Sequence, residues 1–236
     1  EKFANLRTFF GYMMAHPGKK LLFMGQDFGQ FIEWDEKKQL DWMLLGYDKH
    51  RELQSYVKAL NHFYRDTPAL WQVDYSWEGF QWIVPDDSKQ SVIAFLRRDA
   101  AGKMVLVVCN FNPVLRKDYE MGVPNPGSYK EILNSDAKEY GGSGVTNGTV
   151  KSVKGPMHGF NQHIAVTLPP LSTLYFSVPS ARKPRAGKPK AKAKEAAKPA
   201  AKRAAKPAKA VAPAAQAQTD ATPKRRGRPP KAKATV

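Results

Sequence analysis

No aromatic residue follows Phe176 in this chain of 236 residues. Beyond it there is also no Leu, Ile or Met, so the last quarter of the sequence has nothing from which to build a core. Charge divides at almost the same point. Residues 1–180 hold 20 basic and 19 acidic side chains, whereas residues 181–236 hold 18 basic and 2 acidic. The formal net charge of +17 therefore describes neither part. A near-neutral, aromatic-rich globular segment is followed by a cationic tail, which excludes a uniformly basic nucleic-acid-binding domain. The tail, residues 179–236, is Ala, Lys, Pro and Arg in low-complexity repeats. It cannot bury enough apolar surface to offset its ordering entropy, and proline interrupts every alanine run, so disorder is expected there.

The globular part changes period near residue 70. Phe3, Leu6, Phe9, Phe10, Met13 and Met14 recur at helical spacing, which predicts a helix over 2–15, ended by His16-Pro17-Gly18. The short apolar run 21–24 suits a buried parallel strand, and residues 25–48 form a long polar and aromatic loop. Leu53, Tyr56, Val57, Leu60, Phe63 and Tyr64 predict a second helix over 49–65. Helix, strand, long loop and helix is one turn of an α/β sheet or barrel. After Pro68 the segments are short, β-rich and separated by turn signals such as Pro124-Asn125-Pro126-Gly127. About seven strands without helices predict a small antiparallel β-sandwich. The expected domains are thus 1–69, 70–178 and the tail 179–236.

The single cysteine, Cys109, lies in the run Val105-Leu106-Val107-Val108-Cys109 and reads as a small buried hydrophobe, which fits a reducing cytoplasm. No run of about 18 apolar residues exists to span a membrane. His16, His50, His62, His158 and His163 lack metal-ligand spacing, and no cofactor is expected. Gly141-Gly142-Ser143-Gly144 lacks the strand-to-helix setting of a phosphate loop and reads as a turn. The chain starts Glu1-Lys2-Phe3-Ala4, inside a helical pattern and without Met, as expected of a piece of a longer protein.

Several motifs occur in a fixed order. Leu21-Leu22-Phe23-Met24-Gly25-Gln26-Asp27-Phe28-Gly29-Gln30 is followed by Glu33-Trp34 and Leu40-Asp41-Trp42. Then come Leu60-Asn61-His62-Phe63-Tyr64-Arg65, Gly79-Phe80-Gln81-Trp82-Ile83, Asn110-Phe111-Asn112-Pro113, Glu131-Ile132-Leu133-Asn134 and Leu168-Pro169-Pro170-Leu171. This series resembles the last barrel strand, following loop and C-terminal domain of bacterial 1,4-alpha-glucan branching enzymes, in the alpha-amylase superfamily. The resemblance implies the final strand and helices of a (β/α)8 barrel, an antiparallel sandwich, and a cytoplasmic role in glycogen biosynthesis. It implies double displacement with retention at α-1,4 links and transfer of the chain to form α-1,6 branches. The family's Asp nucleophile, Glu acid/base and second Asp match no motif here and would lie upstream of Glu1, so the isolated chain is expected to be inactive.

Within the loop, Gln26, Asp27, Glu33, Trp34 and Trp42 are the expected substrate-binding residues, with α-glucan as partner. Asp27, Glu33, Asp35 and Asp41 could instead form a catalytic pair. That chemistry needs two carboxyls about 5 Å apart on rigid supports, and a lone loop does not supply them. Trp77 is a candidate surface glucan site, since aromatic faces stack on pyranose rings. Alternation of Phe80-Gln81-Trp82 assigns Trp82 to the core.

Glycogen is neutral, so the tail's charge does nothing Coulombic for it. Lys224-Arg225-Arg226-Gly227-Arg228-Pro229-Pro230-Lys231 resembles an AT-hook, in which Arg226, Gly227, Arg228 and Pro229 would read a narrow minor groove in DNA. Another polyanion, or none for a solubilising tail, are the other readings. A non-catalytic glucan- or DNA-binding module is the alternative for the chain as a whole.

Overall fold

A computed structural model describes residues 1–181. Residues 182–236 of the tail, with the AT-hook-like motif, lie outside the described residues. Two helices, α1 (Lys2–Ala15) and α2 (Asp48–Asp66), precede nine strands. These are β1 (Phe80–Asp87), β2 (Val92–Arg98), β3 (Met104–Asn110), β4 (Arg116–Val123), β5 (Ser128–Asn134), β6 (Thr149–Lys151), β7 (Val153–Met157), β8 (Phe160–Leu168) and β9 (Ser172–Ser177). The helices fall within a residue of the spans expected from periodicity. α1 stops at His16, which turns extended (φ −67°, ψ 143°) before Pro17, as the proline ring demands.

The strands form two antiparallel sheets. One has six strands in the order β1-β2-β3-β9-β5-β6, and the other three in the order β4-β8-β7. Side chains alternate across β3. Leu106 and Val108 face the second sheet and join Ala94, Leu96, Met121, Ile164, Leu174 and Phe176 in an inner core. Val105, Val107 and Cys109 face the opposite way, into a core shared with Phe10, Met14, Leu53, Tyr56 and Leu60 of the two helices. Burial on both faces accounts for the unbroken apolar run read from the sequence. Cys109 is fully buried, and burial pushes its thiol up to about 12.

Helix and sheet approach closely because of Gly11. A Cβ there would sit 2.7 Å from Thr173 Cβ and from Tyr56 Oη. The gap lets Tyr175 Oη donate to Gly11 O at 2.5 Å and Thr173 Oγ1 donate to Thr8 O at 2.9 Å. Buried hydroxyls are thus satisfied by helix backbone that the small residue exposes.

Two expectations fail. Residues 21–24 form no strand: the backbone lacks a ladder partner among the described residues, and Leu21, Phe23 and Met24 are exposed. Trp82 does share a face with Phe80, their rings 4.9 Å apart, but it is 42% exposed. β1 is the sheet's edge, so its outer aromatic lies at the rim of the buried surface rather than inside it.

Candidate functional site

The loop between α1 and α2 is ordered by its own polar groups. A short 3-10 turn, Gln26–Phe28, is bracketed by Gly25 (φ 77°) and Gly29 (φ 71°). Both need the left-handed conformation that glycine adopts without strain. Gln26 closes the turn on itself. Its Oε1 accepts from Phe23 N at 2.9 Å while its backbone N donates to Phe23 O at 2.8 Å. Asp27 is half-buried and accepts from Gln54 Nε2 of α2 at 3.3 Å.

Gln30 carries a larger part of the loop than its sequence context suggests. Its Oε1 accepts from Asp41 N at 2.9 Å, its Nε2 donates to Ile32 O at 3.2 Å, and its backbone N donates to Gly25 O at 2.9 Å. It thereby joins the two ends of the segment that presents Glu33 and Trp34. His50 plays a matching role from α2. It is buried, and its Nδ1 donates to Phe28 O at 2.7 Å, with its ring edge-on to those of Phe3 (4.9 Å) and Phe31 (5.1 Å). Neither role shows in residue spacing, because both bonds end on backbone atoms.

Of the sequence-derived residues, Trp34 and Trp42 are partly exposed, and each leans on a phenylalanine of the same loop. Phe23 meets Trp34 edge-on at 5.5 Å and 84°, and Phe28 lies 5.3 Å from Trp42. Such support leaves a ring face available for stacking while restricting its rotation. Glu33 is exposed and makes no ion pair among the described residues, whereas Asp35 is engaged by Lys38 at 3.5 Å. Leu21, Phe31, Ile32 and Met43 are also exposed, so the loop displays more apolar surface than a solvated loop normally does. Phe9 on α1 is also exposed, whereas Phe10 is buried in the core shared with the sheet.

Trp77 stands apart from this loop, in a 3-10 turn capped by Ser76, which accepts from Glu78 N at 3.3 Å. Its ring is 85% exposed and Tyr75 beside it 82% exposed. Beneath them Asp74 pairs with Arg97, and Lys20 Nζ donates to His16 O while lying 5.5 Å from the Tyr64 ring. Burial brings Lys20 down to about 8. No group of three His, Cys, Asp or Glu suited to a metal occurs among the described residues, and none of their helices is long and apolar enough to cross a membrane.

Residues 82–179 match the family described as alpha amylase, C-terminal all-beta domain. Over three quarters of its length, the chain is similar to 1,4-alpha-glucan branching enzymes. It is 52% identical over 178 residues to the 1,4-alpha-glucan branching enzyme GlgB of Halothermothrix orenii and 56% identical over 178 residues to that of Aquifex aeolicus. Each match covers 75% of this chain and 28% of the relative, so the chain spans little more than a quarter of the branching enzymes it matches. The fold is shared more widely. The catalytic module of the glycogen-degrading pneumococcal virulence factor SpuA superposes with a TM-score of 0.51 at 14% identity, covering 75% of this chain and 31% of that one. Ttha1563 from Thermus thermophilus superposes with a TM-score of 0.50 at 19% identity, covering 74% and 31%.

Proposed function

We propose that the chain is the C-terminal part of a 1,4-alpha-glucan branching enzyme acting in bacterial glycogen biosynthesis. The observation that carries this reading is the 52% identity over 178 residues to a branching enzyme, running through both the loop and the sandwich. Residues 1–69 then close a (β/α)8 barrel, and residues 70–178 are the C-terminal sandwich. The exposed apolar side chains at Leu21, Phe23, Met24 and Phe31 are where the remaining barrel would pack. The chemistry is a retaining double displacement. An Asp attacks the anomeric carbon, a Glu protonates the departing glycosidic oxygen and later activates the acceptor 6-hydroxyl, and a second Asp supports the oxocarbenium-like transition state. These carboxylates belong to the part of the enzyme that precedes this chain.

What this chain contributes is the grip on the glucan. Trp34 and Trp42 stack on glucosyl rings, Asp27 and Glu33 accept from sugar hydroxyls, and Gln26 shapes the turn that carries Asp27. Trp77 is a surface contact for a glucan branch. The test compares the polypeptide encoded by the whole reading frame with residues 1–236 in an iodine-absorbance branching assay. The complete polypeptide lowers the absorbance of the glucan–iodine complex and the 236-residue chain does not. An inactive complete polypeptide overturns the reading.

The charge partition favours a separate role for the tail. Its 18 basic side chains against 2 acidic suit a polyanion, and Arg226-Gly227-Arg228-Pro229 suits AT-rich duplex DNA. Gel shifts with an AT-rich duplex at two salt concentrations test this. Binding falls at the higher salt and disappears on deleting residues 181–236; no shift at low salt sinks it.

A further inference from the structure

The two partly exposed tryptophans of the loop are linked through one amide. Gln30 is half-buried and lies against the backbone of Gly25: a Cβ on Gly25 would sit 2.9 Å from Gln30 Cβ and 3.0 Å from Gln30 Oε1. A backbone N–H can only donate, so the bond from Asp41 N identifies the oxygen of this amide and leaves Nε2 for Ile32 O. One side chain thus accepts on one side and donates on the other. Glutamate would keep only the acceptor, and an apolar residue neither.

The two bonds lead to different rings. Ile32 lies two residues before Trp34. Asp41 caps the 3-10 turn Trp42–Gly46, and its carbonyl accepts from Leu44 N at 2.9 Å. Holding Asp41 N therefore sets the start of the turn that carries Trp42. The ring beneath Trp42 is tied to the same residue, because Gln30 N donates to Gly25 O and closes the turn that carries Phe28. Between the two tryptophans the chain turns at Asp35, whose Oδ1 accepts from Lys37 N and whose O accepts from Lys38 N. That turn shapes the tip of the excursion and ties neither ring to the other.

We infer that Gln30 is a positioning residue that fixes the spacing between the Trp34 and Trp42 rings, so that a single glucan chain engages both. It acts through the two tryptophans and does not itself touch the sugar. Two contacts held at a fixed spacing reinforce each other, since the second forms at high effective concentration once the first is made. Without the amide each ring still stacks, but the reinforcement is lost. The reacting bond lies elsewhere, so the effect falls on affinity for the chain and not on the chemical barrier. The inference rests on the stacking roles proposed above for the two tryptophans.

The experiment determines KM and kcat for amylose with the polypeptide encoded by the whole reading frame. Gln30→Met, which keeps the length of the side chain and removes both bonds, is expected to raise KM about fivefold, the effect of one hydrogen bond, with kcat within about twofold of wild type. A double-mutant cycle gives a readout that general loosening would not move. With Gln30 present, Trp34→Ala and Trp42→Ala together raise KM by less than the product of the single effects. In the Gln30→Met background the two effects multiply. An unchanged KM in Gln30→Met, a cycle that is the same in both backgrounds, or a Gln30→Met protein that loses kcat or fails to fold overturns the inference, the last two by giving Gln30 a structural role, and each leaves the proposed function standing. If the complete polypeptide does not branch amylose, the proposed function falls, and the same cycle is read from retardation by amylose in native gels. Coupling that disappears in Gln30→Met upholds the inference there, and absence of retardation overturns it.

Discussion

Arg97 reaches across the molecule to pair with Asp74, Nη2 to Oδ1 at 2.7 Å, with both side chains buried. The same guanidinium donates to Gly79 O at 3.2 Å and to Ala15 O at 2.5 Å, and Asp74 Oδ2 accepts from Gly18 N at 3.0 Å. One side chain on β2 therefore fixes the end of α1, the turn after it and the entry to β1. A buried charge is tolerated when its hydrogen-bonding capacity is met in this way.

Removing one partner leaves the other charged and dry. Asp74→Ala should lower the unfolding free energy of the chain by about 3–5 kcal/mol, measured by urea denaturation. A loss below about 1 kcal/mol, the range of an exposed pair, would show that water reaches the site.

Gly11 sets the spacing between α1 and β9. Gly11→Ala gains helix propensity worth about 1 kcal/mol, but its methyl group meets Thr173 and Tyr56. Overpacking costs about 1–3 kcal/mol, so net destabilisation is expected in the same urea experiment. A stabilised variant would mean that the helix can lift without cost.

Lys20 titrates at about 8 in the folded protein against an ordinary value of 10.5, because burial opposes its charge. The unfolded chain thus holds more protons between these values, and stability contributed by this group rises with pH across that window. Comparing wild type with Lys20→Met isolates the effect from the tyrosines. The wild type should gain on the variant from about pH 8 upward, and parallel curves would contradict the shift.

Cys109 should not react with a thiol reagent while the chain is folded. Its sulfur is fully buried, and the thiolate is suppressed by a value of about 12. Labelling that proceeds at the global unfolding rate is the expected result, and rapid labelling in native buffer would contradict it.

Trp77 is 85% exposed, so Trp77→Ala should leave stability within about 0.5 kcal/mol of wild type while slowing less in glycogen-containing native gels. Unchanged mobility would remove it from the glucan-contacting set.

Periodicity made the helices legible, since Leu53, Tyr56, Val57 and Leu60 can only share a face on a helix. Strands β1, β2, β3, β8 and β9 are legible from the short β-rich runs 79–84, 91–96, 104–110, 163–168 and 173–178. β4 and β5 are not, because Arg116, Lys117 and Asp118, or Lys130 and Glu131, break the apolar pattern with outward-facing charge. Residues 21–24 carry the composition of a buried strand, but a strand is a relation to a neighbour, and composition does not supply the neighbour. Residue type and position single out Trp34 and Trp42, and both rings are partly exposed. Gln30 and His50 were missed because their partners are backbone carbonyls and amides, which every residue has.

The six-stranded sheet has no dry-side and wet-side choice along β3: Leu106 and Val108 are covered by strands, Val105 and Val107 by helices. A sheet of that kind is not a portable module. Grafted onto another protein without α1 and α2, it would present a row of β-branched side chains to solvent and recruit other copies. Any swap between relatives must carry the two helices along, so the loop where the period changes is not a breakpoint for shuffling.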